Sequence, residues 1–534
     1  MNVYLLGMVI SMLVYIVIGL VVSAKVKNAN DFYVAGRQAP LLLISGSLIA
    51  SYASTGLFMG DAALCYDGVF TPIIIYAGMQ SAGYVFGAVF FGRYLRRMNV
   101  YTIPEFFEKR FVSRSMRILA TVVAIIIMTV YLLSVMQGVG TLMNEVTGVD
   151  YNACITNALV VFTFLSVTGG SKGVLITDTL MAGIFTIGMV IACLFISGNA
   201  GGWFDTIANL ASHSETSDLF SGTGRVDGTM YYDGASNIAW GVVYGIVWMS
   251  VCMIGPWQSS RYLMAKNESV IVKSACLAAV CVFAVEFLAG MSAVFVNAVN
   301  PDMADSSRVM IWAAMNMMPK IMGIILLTGV LASGISSATT FLSLVGTSVS
   351  LDIIGKQGKD DKQSIMIGRI AMVCIAAVVL LLATYNPPAI AWVVYFAAAI
   401  VASSWMPVVM ASIFWKRLTM AGAFAGMLAG MLGCFVLRLY AALNGISLPI
   451  YFDPALVGMV FNVVAMVVVT LTTKVTEEEK RARAEMFVLP QSEYSVVRAK
   501  GVILSAKRSM LIGVGIAAAL LILWVIPYLS NKIY

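Results

Sequence analysis

Fourteen apolar stretches, most of them about twenty residues long and separated by short polar loops, leave this chain few folds other than a bundle of membrane-spanning helices. A hydrocarbon core of ~30 Å is crossed by about 20 apolar residues in a helix. By that ruler the spans fall near 3–23, 40–66, 70–92, 117–145, 151–168, 174–199, 237–258, 270–297, 311–350, 367–386, 388–415, 420–441, 453–473 and 509–530. The second and ninth, 40–66 and 311–350, are overlong for one simple crossing. The first has neither a basic start nor a small-residue cleavage motif, so it reads as a retained helix. Charged residues make up 11% of the 534 and hydrophobic ones 60%, whereas a soluble domain carries about 25% charge. The chain is a polytopic membrane protein.

Lysine and arginine orient it. With the N-terminus outside and the helices alternating, the loops at 24–39, 93–117, 168–174, 259–273, 352–369, 416–419 and 474–508 face the cytoplasm and hold 28 of the 33 basic residues. Both termini are then expected outside, in a cell inner (plasma) membrane. The net charge of +7 is explained by cations beside an anionic leaflet, not by nucleic-acid binding. The outer loop near 200–236 is polar and reads as a connector or a small lid. The inner loop 474–508 reads as a connector.

Several chemistries are excluded. The eight cysteines (65, 154, 193, 252, 276, 281, 374 and 434) are scattered without a C-x-x-C pair, and the lone histidine, His213, sits in the polar outer loop. That leaves no pattern for a transition metal and no visible nucleophile–base pair. An enzyme is not expected.

Three polar features interrupt the apolar background. Ser333, Ser336, Ser337 and Thr340 share one helical face, with Thr339 beside it. Such hydroxyls either bond back to their own helix and knit it to a neighbour, or line a wall of oxygens suited to a hard cation. The stretch Ser45–Asp61 puts Ser51, Tyr52, Ser54, Thr55, Gly56 and Gly60 in mid-span. Small residues there serve close helix packing or a broken helix, whose freed carbonyls bind a cation. Finally, Asp61, Asp178 and Glu286 fall within spans, where a carboxylate costs several kcal/mol unless paired or wet. Lys172 is placed to pair with Asp178.

The chain also carries a series of motifs that resemble one family. They begin at Phe32-Tyr33-Val34-Ala35-Gly36-Arg37 and continue with Thr102-Ile103-Pro104-Glu105-Phe106-Phe107, Gly169-Gly170, Thr177-Asp178 and Gly255-Pro256-Trp257 to Arg261-Tyr262. The most specific is Ser412-Ile413-Phe414-Trp415-Lys416-Arg417 followed by Gly422-Ala423-Phe424-Ala425-Gly426. From about residue 31 to 435 the sequence resembles the sodium:solute symporters, nearest to the proline and pantothenate carriers.

The resemblance implies an all-α, leucine-transporter fold with a ten-helix core of two inverted five-helix repeats, the first helix of each repeat broken. The core would span 40–415, flanked by a peripheral helix and loop at 1–39 and peripheral helices at 416–534. It implies a first sodium site from the carbonyls of Ala50, Ala53 and Ser333 with the hydroxyls of Ser336 and Ser337. Asp178, with Ser336, Thr339 and Thr340, matches a second sodium site found in some members, or lines the inner exit path. By the fold's geometry the solute would lie among Tyr52, Ser54, Thr55, Tyr76, Gln80, Tyr131, Ser134, Gln137, Trp248 and Ser250. Two departures narrow the solute. Trp257 stands where proline and pantothenate carriers usually have histidine, and no arginine lies mid-span in the fourth helix, unlike a sialic-acid carrier. The expected function is sodium-coupled import of a small carboxylate, amino acid or pantothenate-like solute. The protein would act as a monomer or weak oligomer in the bilayer, with Na+ as coupling ion. A proton-coupled carrier working through Asp178 and a non-transporting solute sensor are the alternatives.

Overall fold

The computed structural model describes residues 3–23, 29–213, 218–221, 234–355, 361–385, 390–493 and 499–532. Among them the structure is helical throughout, apart from an isolated parallel bridge between Ala39 and Ala265. The apolar helices are α1 (Val3–Ser23), whose described apolar stretch is shorter than the rest, the bent pair α2 (Leu41–Tyr52 and Gly56–Tyr66), α3 (Phe70–Met98), α4 (Arg114–Thr147), α5 (Tyr151–Thr168), α6 (Gly170–Asn199) and α7 (Ala235–Met264). They continue with α8 (Glu268–Val299), α9 (Lys320–Ile354), α10 (Lys362–Tyr385), α11 (Ile390–Phe414), α12 (Met420–Asn444), α13 (Pro454–Thr472) and α14 (Lys507–Asn531). Each corresponds to one of the expected apolar stretches.

Both overlong segments are explained by breaks. α2 bends by 42° where Ala53 turns to extended backbone (φ −63°, ψ 107°). The stretch near 311–350 is two elements: a short helix, Val309–Asn316, ends three residues before Pro319, the N-cap of α9. α7 breaks in its turn at Gly255, also extended (φ −52°, ψ 139°), and Pro256 opens its second half. The chain between α5 and α6 pivots on Gly170 at φ +55°, where an added Cβ would meet the Phe32 ring at 2.6 Å.

One boundary corrects the sequence reading. The seventh helix runs to Met264, six residues past the expected end, so Arg261 lies inside it and not in the cytoplasmic loop 259–273. Its side chain is buried.

Elsewhere small residues set the spacing between helices. Cβ atoms at Gly83 and Gly87 of α3 would strike the α7 carbonyls of Met249 at 2.4 Å and Met253 at 2.6 Å. On the loop side, Arg110 donates from Nε to the Ser412 carbonyl at 2.8 Å, which caps the C-terminal end of α11 just before the Trp415-Lys416-Arg417 motif. Burial and the nearby Arg483 cation pull the Arg110 guanidinium down to about 10. Within the inner loop 474–508, Thr476 and Glu479 form a capping box that starts a helix over Glu477–Glu485. Glu479 also accepts from the Met420 amide at 2.6 Å. That connector is therefore docked on α12. Part of the outer loop near 200–236 lies outside the described residues; its start forms a helix, Trp203–Ser212, and His213 beyond it is exposed.

Candidate ion and solute site

The break in α2 is the centre of the arrangement. Ala53 N–H still donates to the Ile49 carbonyl at 3.0 Å, but no helix-continuing bond runs from Ser54 or Thr55 back to Ala50 or Ser51. Instead Gly56 N–H is capped by Ser54 Oγ at 3.1 Å. The carbonyls of Ala50 and its neighbours are thereby released inside the bundle, where unmet backbone oxygens are costly.

The serine face of α9 packs against this break. At Gly334 an added Cβ would strike Val139 of α4 at 2.5 Å, and the Thr55 methyl lies within ordinary contact at 3.5 Å, so this glycine seats α9 against α4 with the break alongside. Each hydroxyl on the face has a definite use. Ser333 donates back to the Val330 carbonyl at 2.7 Å, and Thr339 to Ile335 at 2.9 Å. Ser336 donates to Asp178 Oδ1 at 2.6 Å, and Thr340 accepts from Arg261 at 2.7 Å. Ser337 is the exception: its hydroxyl is buried without a partner among the described residues. An orphaned oxygen of this kind is costly in a dry interior. Together with released carbonyls it is the hard-oxygen donor set that alkali and alkaline-earth cations take. The residues present fit sodium.

Asp178, on α6, is held by three groups. Ser47 of α2 donates to Oδ2 at 2.5 Å, Ser336 to Oδ1, and Arg261 pairs with Oδ2 at 2.9 Å. Arg261 also donates to Ser47 Oγ at 2.8 Å. Lys172 is not its partner; it lies 3.8 Å from Asp31. One network thus ties α2, α6, α7 and α9, and the guanidinium sits among the residues matched to a second sodium site.

On the other side of the break lies an aromatic and acidic cluster. Tyr52 Oη donates to Glu286 Oε2 at 2.7 Å and is 2.8 Å from Tyr76 Oη. Gln80 Nε2 donates to Tyr52 at 2.7 Å. Tyr76 and Tyr395 reach the two oxygens of Asp61 at 2.7 and 2.5 Å. Trp248 packs edge-on to Tyr52 (centroids 5.8 Å) and Tyr131 (6.3 Å), and its indole N–H is buried without a partner. Ser54 lies 3.3 Å from the Tyr131 hydroxyl.

The profile of the Sodium:solute symporter family matches residues 32–430. The chain belongs to that family. Among its curated relatives, a sodium/proline symporter of Haemophilus influenzae is 24% identical over 504 residues, covering 90% of this chain and 95% of the relative. The high-affinity proline transporter PutP of Bacillus subtilis is 25% identical over 433 residues, covering 78% and 88%. The fold is that of a sodium-coupled sialic acid symporter solved substrate-bound and outward-open (TM-score 0.73, 16% identity, covering 89% of this chain and 99% of that one). A nucleobase-cation-symport-1 family transporter in a closed conformation is more distant (TM-score 0.54, 12% identity, covering 85% and 98%). The protein thus has the leucine-transporter fold, with its first and sixth core helices, α2 and α7, both broken.

The site residues matched through this family separate into groups. Ala50, Ala53, Ser333, Ser336 and Ser337 belong to the break and the facing stretch of α9. Tyr52, Ser54, Tyr76, Gln80, Tyr131 and Trp248 are drawn into the aromatic cluster. Three others are turned elsewhere: Ser134 donates to the Ile390 carbonyl at 2.7 Å, Ser250 back to Ile246 at 2.8 Å, and Thr55 to Val135 at 3.3 Å. Gln137 is buried on α4. Ser47, Arg261 and Tyr395 escaped the sequence reading. Arg261 had a signal, a cation five residues after Pro256 in a motif shared with the family, but it was assigned to the loop 259–273.

Proposed function

We propose that this symporter-family chain imports a small organic solute by alternating access, driven by sodium. Sodium entering from outside would bind between the broken stretch of α2 and the serine face of α9, using the carbonyls of Ala50, Ala53 and Ser333 and the hydroxyls of Ser336 and Ser337. Its binding would hold the two helices together and stabilise the state that accepts solute. Solute in the adjoining cluster would then allow the bundle to rock, and both would leave to the cytoplasm. The membrane potential contributes ~2.3 kcal/mol per charge per 100 mV. The observation that carries this reading is the buried, partnerless hydroxyl of Ser337 beside the break. The solute class is a small carboxylate, amino acid or pantothenate-like compound, and the proline relatives support the amino-acid end of that range. We place both termini outside an inner (plasma) membrane, with residues 40–415 as the transport core.

Asp178 is the candidate for a second sodium. For that role Arg261 must swing away, because its cation already neutralises the carboxylate. A one-sodium cycle in this arrangement, or a second sodium taken only after Arg261 moves, follows from that geometry.

The test is thermal stabilisation of the purified protein against a panel of carboxylates, amino acids, vitamins and sugars, in sodium and in choline. A compound that raises Tm only in sodium is the expected result. Equal shifts in the two salts would count against the sodium site.

A further inference from the structure

The cluster between α2, α3, α8 and α11 holds more acceptors than protons. Glu286, Tyr52, Tyr76 and Asp61 form a chain of three oxygen–oxygen contacts, at 2.7, 2.8 and 2.7 Å. Each contact of that length needs one proton between the oxygens. Were both carboxyls ionised, the two tyrosine hydroxyls would supply two protons for three contacts. The Tyr52–Tyr76 pair would then face oxygen to oxygen with nothing between. The Asp61 and Glu286 carboxyls also lie close enough to act on each other, and two ionised groups so placed in a dry interior repel strongly. A second sign of the same shortage is Gln80, fully buried, whose Oε1 finds no donor although its Nε2 is spent on Tyr52.

Among the described residues neither carboxyl has an ion-pair partner to make up the deficit. The groups facing the pair are Tyr52 and Cys65 on α2, Tyr76 on α3, Tyr131 on α4, Cys252 on α7 and Tyr395 on α11, with Asp67 acting on Cys65 and Tyr244 on Tyr395. Among these described groups none is lysine, arginine or histidine. The contrast with Asp178 is direct, since that carboxylate has Arg261.

We propose that Asp61 and Glu286 form a proton-binding site, holding at least one proton in this arrangement, and that its occupancy is coupled to transport through Tyr52. With a proton on Glu286 the carboxyl donates to Tyr52, Tyr52 donates to Tyr76, and Tyr76 donates to Asp61, so all three contacts are satisfied. Loss of that proton leaves a carboxylate pair that repels and a hydroxyl pair without a bond. Tyr52 is one residue from the break of α2, so the break feels the change. The site is separate from the sodium ligands on α9, and it assigns the proton to a place other than Asp178.

The direct test is infrared spectroscopy of the full-length protein in bilayers, with 13C-labelled glutamate or aspartate to assign the C=O stretch of a protonated carboxyl. The expected result is such a band at neutral pH in the wild type, lost or diminished in Glu286→Gln and in Asp61→Asn. Its absence from the wild type, or its survival unchanged in both variants, would overturn the proposal. The labelled wild type decides the matter even if a variant fails to fold. In proteoliposomes at fixed sodium, the half-saturating solute concentration should rise by up to about tenfold per pH unit above the titration, the limit for one linked proton. This dependence should vanish in Glu286→Gln. A wild type without pH dependence would overturn the coupling. Sodium dependence is read separately, so failure of the sodium site is not confused with failure of this one.

Discussion

Replacing Arg261 alone by methionine should destabilise the folded protein by about 3–5 kcal/mol, the typical cost of stranding one partner of a buried ion pair. Both side chains are essentially inaccessible (1% and 0%), and Arg261 also holds Ser47 and Thr340. The loss therefore leaves Asp178 with only the hydroxyls of Ser47 and Ser336. Removing the carboxylate as well, in Asp178→Asn with Arg261→Met, should recover most of the stability, because no unpaired charge remains. Unfolding in detergent, followed by tryptophan fluorescence, checks both. Sodium should restore part of the lost stability in the single variant if Asp178 can take the ion once the guanidinium is gone. Equal stability of the single and double variants would mean that the pair is not formed in the protein.

A second large effect is expected at Ser337. Ser337→Ala removes an oxygen that has no partner within the protein, so without sodium the variant should be as stable as the wild type or slightly more so. Its half-saturating sodium for uptake should nevertheless rise by about tenfold, the loss of ~1.4 kcal/mol at a charged ligand. Ser336→Ala should behave differently. Its hydroxyl also serves Asp178, so that variant should lose both sodium affinity and stability. Unchanged half-saturating sodium in both variants would remove the site from α9.

The membrane architecture was legible because it depends on segment length and apolarity alone. Twelve spans and the bent α2 follow from the ~20-residue requirement, while a break in the first helix of each repeat was implied by the family resemblance and falls at Ala53–Gly56 and at Gly255-Pro256. The serine face of α9 was legible because helical spacing gathers residues of one helix. What sequence spacing does not report is which helices meet. Asp178 and Arg261 are 83 residues apart, and they become partners only because α6 and the second half of α7 both pack on α2. Tyr395 reaches Asp61 from 334 residues away for the same reason. Ser134 and Ser250 lie within the expected pocket-facing helices, but a hydroxyl's rotamer decides whether it serves a ligand or a nearby carbonyl, and periodicity carries no information on that.

The central claim is that sodium and solute drive each other across the membrane, and proteoliposome uptake under an imposed sodium gradient tests it most directly. With a solute identified by thermal stabilisation, an inward sodium gradient should concentrate it inside above the outside level, and an outward solute gradient should in turn drive sodium out. Solute that only equilibrates, at the same rate with sodium as with choline, would contradict the account.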